Sequence, residues 1–144
     1  MSKLFYKPKH IETVELVDKK TYQTYKEQCL ELFFDSRILC QLDSIREYFG
    51  KPIIINNWSW KGNFQFRGFR PFDCTVGSKY SQHKFGRAVD FDIEGFSAEE
   101  IRNQIIKNQH KEDFKYISRM EDNVSWVHID CANTNKNGIY LFNV

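Results

Sequence analysis

The stretch Ser81-Gln82-His83-Lys84-Phe85-Gly86-Arg87-Ala88-Val89-Asp90-Phe91-Asp92-Ile93 decides how the chain is read. Ala88 to Ile93 has the character of a strand, and His83 sits on the loop that feeds it. Gly86 permits the tight reversal between them, because glycine enters left-handed backbone conformations without steric cost. Ala88 is small enough to let other backbone approach. A second segment, Trp126-Val127-His128-Ile129-Asp130, places another histidine on a separate strand. Two imidazoles and a carboxylate are the donors a hydrolytic zinc prefers, and three protein ligands leave the fourth position for water. Either histidine alone reads as an ordinary loop or sheet residue. The joint placement of Ser81, His83, Gly86, Ala88 and Asp90 makes the metal reading specific, with Zn2+ held by His83, Asp90 and His128.

Outward from these segments, Ser36 to Phe49 is predicted to be a helix. Ile38, Leu39, Leu42, Ile45 and Phe49 recur at helical spacing, Asp35 caps its start, and Gly50 marks its stop. Thr21 to Phe34 is a second helical stretch. Pro52 opens a short apolar run, Ile53-Ile54-Ile55, that reads as a buried strand. Asn56 to Tyr80 reads as a long irregular loop, a kind that tends to be functional. Its aromatics Trp58, Trp60, Phe64, Phe66, Phe69 and Phe72 are expected mostly in the core. Ser97 to Glu100 is a capping box, with Phe96 and Ile101 at staple spacing, for a helix running to about Asn108. Phe114–Met120 and Ser125–Cys131 read as strands joined by a turn at Asp122-Asn123, and Gly138–Phe142 as a last strand. The expected class is α+β, a mainly antiparallel sheet with flanking helices.

Composition narrows the function. The 144 residues, 41% hydrophobic and 16% aromatic, suffice for a single domain spanning 1–144 with a core of its own. A net charge of +2, without a lysine or arginine cluster, argues against nucleic acid. No apolar run spans a bilayer, and no signal peptide is recognisable, so a cytoplasmic, membrane-free monomer is expected. Cys29, Cys40, Cys74 and Cys131 are scattered, fit no disulfide or zinc-finger spacing, and are expected as free, buried or half-buried thiols.

The pattern SxHxxGxAxD followed by a Trp-Val-His strand resembles the zinc peptidases of the D-Ala-D-Ala carboxypeptidase (M15) family. That family includes bacterial DD-peptidases and phage endolysins, and shares its fold with the Hedgehog signalling domain. Ile55-Asn56-Asn57-Trp58 leading to Arg67-Gly68-Phe69-Arg70 is similar to the phage-type branch. The resemblance implies zinc ligation by His83, Asp90 and His128, with Ser81 supporting the loop. It also implies an arginine that holds a substrate carbonyl or carboxylate, Arg70 by position with Arg67 in reserve. The implied substrate is a peptidoglycan peptide, cut at a D-Ala-D-Ala or L-Ala-D-Glu type of bond, by an enzyme released through phage lysis or carried in a virion.

One position departs from the family. The acidic base three residues before the last zinc histidine is Ser125 here. If β-strands pair tightly around Asp122-Asn123, Glu121 lies opposite Ser125 and a glutamate there reaches the same space; Asp122 is the weaker substitute, since turn aspartates bond their own backbone. The alternative is a zinc-binding structural or virion protein with little or no turnover. Asp130 and Asp92 each share a strand face with a proposed ligand. Either is a partner for a zinc histidine or a solvent-facing carboxylate, and Asp92 is a fallback ligand.

Overall fold

The computed structural model describes residues 5–144. Four α-helices, α1 Lys19–Tyr25, α2 Cys29–Phe33, α3 Ser36–Phe49 and α4 Ala98–Lys107, flank five strands. The strands are β1 Ile53–Ile54, β2 Ala88–Ile93, β3 Arg119–Glu121, β4 Val127–Asp130 and β5 Tyr140–Phe142. They form one sheet in the order β1-β2-β4-β3-β5, antiparallel except for the parallel pair β3–β5. This is the α+β class with a mainly antiparallel sheet.

Helix α3 forms for the expected reasons. Asp35 accepts a hydrogen bond from the Arg37 amide, Gly50 closes the helix in the left-handed conformation at φ +68°, and Ile38, Leu39, Leu42 and Ile45 are fully buried. In α4, Ser97 Oγ accepts from the Glu100 amide at 3.1 Å, and Ile101 and Ile105 face the core.

The stretch expected as a single helix over Thr21–Phe34 is instead two short helices separated by a 3-10 turn, Lys26–Gln28. Asp18 caps α1 by accepting from the Thr21 amide and hydroxyl, and Lys26 takes φ +52°, which ends it. The Thr and Tyr residues at 21, 22, 24 and 25 have weak helix propensity and do not carry the helix across that point. The strand expected from Phe114 begins only at Arg119. Phe114 closes a 3-10 turn, Glu112–Phe114, and its buried ring packs 4.8 Å from the ring of Tyr48. All four cysteines are free, Cys29 and Cys131 buried and the other two half-buried. Among the described residues no helix is long and apolar enough to cross a membrane.

The sheet positions side chains in rows. Asp90 aligns with His128 and Glu121 with Phe142. One step beyond the β3–β4 pairs Arg119–Asp130 and Met120–Ile129, Glu121 falls opposite His128. Two residues along each strand, Ala88, Asp130, Arg119 and Tyr140 make a second row. The row between them, Val89, Ile129, Met120 and Leu141, points to the opposite face. Its first three members are fully buried in the hydrophobic core.

Candidate metal centre

His83 comes from the irregular segment between β1 and β2. A 3-10 turn, Gln82–Phe85, carries it, and Ser81 Oγ caps the turn by accepting from the His83 amide at 3.3 Å. The turn ends at Gly86 with φ +66°. A Cβ there would stand 1.7 Å from the Phe33 carbonyl oxygen, so only glycine lets the backbone pass. Gly68 meets the same demand against the Leu16 carbonyl, at 2.1 Å. Its own carbonyl is 2.8 Å from His83 Nδ1. A carbonyl only accepts, so Nδ1 carries the proton and Nε2 keeps its lone pair.

Asp90 and His128 face each other across β2 and β4, with His128 Nδ1 2.8 Å from Asp90 Oδ1. His83 Nε2 is 3.3 Å from the same oxygen. One donor atom from each of the three residues lies within 4.8 Å of the others, and all three side chains are buried. The far nitrogen of His128, Nε2, lies 2.8 Å from Asp130 Oδ2. Asp130 is fully buried and is held by Arg119 through Nε at 2.9 Å and Nη2 at 2.9 Å. Each histidine thus spends one nitrogen on a fixed acceptor and turns the other inward, the arrangement that orients imidazoles on a metal. Two nitrogens and a carboxylate oxygen so placed fit a zinc ion.

Electrostatics agree with that fit. Burial lowers the pKa of His83 and keeps it neutral despite Asp90. Burial also opposes charge on His128, but its hydrogen bonds to Asp130 and Asp90 outweigh it and hold the pKa up to about 9. Asp90 is held well below the carboxylate range, since the two histidines overcome its own burial. A cation among these groups would replace the His128 proton, the usual competition between metal and proton at a ligand.

A cavity of about 540 Å³ opens on the cluster, lined by Arg70, Glu121, Arg119, Trp126 and Phe142 among others. Arg70 is buried, with Nε donating to the Phe66 carbonyl at 2.7 Å and Nη2 to Asp90 Oδ2 at 3.2 Å. Arg67 turns away from that cavity. It pairs with Asp92 at 3.0 Å and lies 4.4 Å from the Phe64 ring centroid. Asp92 is therefore engaged by Arg67 and lies outside the three-residue cluster.

The pairing of Glu121 with Ser125 is not found. Residues 122–126 form a wider loop, and the register carries Glu121 to His128 instead. Arg102 of α4 holds the loop open by donating to the carbonyls of Trp126 at 2.9 Å and Val124 at 3.0 Å, while Asn123 adopts φ +59°. Glu121 consequently lines the cavity, whereas Ser125 is exposed beside Arg67 and Asp92. Burial is the largest influence on the Glu121 carboxyl and raises its pKa. His128, Arg70 and Arg102 pull it down, and Asp90 adds to the rise. Asp122 sits in the loop, accepting from the Asn123 amide and lying 3.8 Å from Arg102.

The loop aromatics also depart from expectation. Phe69 alone among the six is buried, stacked 4.5 Å from Phe33. Trp60, Phe64 and Phe72 are exposed. Arg119, Trp126 and Phe142 escaped the sequence reading as site residues, although strand alternation from Glu121 already puts Arg119 on the same face.

The family model for peptidase M15 matches residues 15–130. The match takes in His83, Asp90 and His128 and ends before β5. No curated protein and no solved structure matches the chain.

Proposed function

This chain belongs to the peptidase M15 family, and on that premise we propose that it is a zinc-dependent peptidase acting on peptides of bacterial peptidoglycan. The observation that carries the proposal is the buried His83–Asp90–His128 cluster with a carboxyl group, Glu121, in the same cavity. The sheet order and flanking helices fit the Hedgehog/DD-peptidase-like fold of that family.

In this reading His83 Nε2, an oxygen of Asp90 and His128 Nδ1 hold the ion. When bound, zinc supplies Lewis acidity toward a water and a carbonyl oxygen. The Gly68 carbonyl and Asp130 keep the two imidazoles turned inward. Glu121, which lines the same cavity, takes the proton of the attacking water and returns it to the leaving amine. Arg70, fixed by Phe66 and Asp90, presents its remaining N–H groups to a substrate carbonyl or carboxylate. Ser81 maintains the turn under His83.

Incubation with purified peptidoglycan, with and without a chelator, tests this. The expected result is new amine termini that disappear on chelation and return on adding zinc. Intact muropeptides beside a protein carrying one zinc per chain would instead support the non-catalytic structural role, which the serine at position 125 favours.

A further inference from the structure

Strand β5 lies beyond the family match, yet it forms one wall of the cavity. The Phe142 ring stands perpendicular to the His128 imidazole, with centroids 5.4 Å apart. The Arg119 guanidinium carbon lies over the same ring, 4.5 Å from its centroid. His128 and Arg119 are the two groups that grip Asp130. A single aromatic ring therefore packs on both ends of the Arg119–Asp130–His128 chain of hydrogen bonds.

The strand has its own anchors. The Tyr140 amide donates to Ser118 O at 2.9 Å, the Asp122 amide to Phe142 O at 2.8 Å, and Asn123 Nδ2 to Asn143 Oδ1 at 2.6 Å. Tyr140 and Leu141 remain exposed at 42% and 39%, whereas Phe142 is half-buried, so the strand's covered surface is at this ring.

We infer that Phe142 is a positioning residue for the metal centre: its ring fixes the plane of the His128 imidazole and keeps water from Asp130. An edge-to-face contact restricts rotation of the imidazole. The Arg119 guanidinium is held over the ring by its quadrupole. Excluding water strengthens the hydrogen bonds behind them. The inference rests on the reading of His83, Asp90 and His128 as a zinc site.

The test is a competitive zinc titration against a chromophoric chelator, paired with the visible spectrum of the cobalt(II)-loaded protein. Phe142→Ala and Phe142→Leu are each expected to weaken zinc binding about tenfold, as loss of support behind a ligand does, and to shift the cobalt bands. Phe142→Tyr keeps the ring and should retain wild-type affinity and spectrum. Leu141→Ala sits on the same strand in the row facing the other way and should also be silent. Wild-type affinity in both Phe142→Ala and Phe142→Leu overturns the inference. So does a Leu141→Ala loss equal to that of Phe142→Ala, which would assign the effect to strand docking. A wild-type protein that binds no zinc overturns the underlying site as well, which separates the two failures.

Discussion

The two halves of the metal centre are built by different means. Asp90 and His128 stand on adjacent strands, and their approach follows from a ladder of pairs running from Ala88–Asp130 to Phe91–Val127. His83 and Arg70 stand on residues 55–87, which contain only two 3-10 turns. That segment is held by single contacts: the Phe69 amide to Leu16 O at 2.8 Å, the Arg70 amide to His83 O at 3.1 Å, and Trp58 Nε1 to Val17 O at 2.8 Å. In the sheet half, repetition shares the positional load among many equivalent bonds. In the loop half, a few glycines let backbone reach backbone, and each is irreplaceable. The sheet half should therefore tolerate chemical change with its geometry intact, and the loop half should fail structurally.

The largest effect expected from that contrast is at Gly86. Gly86→Ala combines a left-handed backbone with a Cβ against Phe33 O, and should cost roughly 3–5 kcal/mol of stability. Urea unfolding measures it, and a midpoint near wild type would break the comparison. Next comes Glu121→Gln on the sheet side. It should leave the unfolding midpoint and zinc content unchanged while lowering kcat about a hundred- to ten-thousandfold. The same residue has a pH signature in the metal-free protein. Burial raises its carboxyl pKa there, so a carboxyl resonance absent from Glu121→Gln should titrate above the ordinary glutamate range. A metal-free Glu121 titrating at or below that range, followed by carbon NMR, would break its placement as a partly desolvated carboxyl in the cavity. The smallest effect is at Asp92, on the same strand face as Asp90 but outside the cluster and partly exposed. Asp92→Asn should cost less than about 1 kcal/mol and leave zinc affinity unchanged, as measured by unfolding and by metal titration.

The same contrast explains what was legible in the sequence. Strand β2 is found residue for residue where it was expected, and α3 with both of its caps, because period and capping chemistry are local properties. Strand β4 was legible as a strand, and with it Asp130 as a neighbour of His128. The partner of Glu121 was not, because the register depends on the length of loop 122–126, and that length is set by Arg102 reaching from another helix. Similarly, nothing local to Phe114 distinguishes a strand from a turn whose ring enters the core beside Tyr48. The role of Gly68 is equally remote, since it lies in contacts to Leu16 and His83 far along the chain. Phe142 belongs to a strand added in parallel to β3, and the hydrophobic pattern of three residues carries no record of what they cover.

The Arg102 clasp bears on folding fidelity. A slip of β4 against β2 by one residue would turn Val127 and Ile129 out of the core, and burial alone penalises it. A slip by two leaves every apolar side chain facing inward and is nearly invisible to the hydrophobic effect. It would nonetheless put Asp130 in place of His128 opposite Asp90, a pair of carboxylates where an imidazole belongs. Two guanidinium hydrogen bonds from Arg102, on the helix that follows β2, to the carbonyls of Val124 and Trp126 tie the start of β4 to the end of β2. They act as a proofreading contact, distinguishing the productive register from an equally greasy impostor.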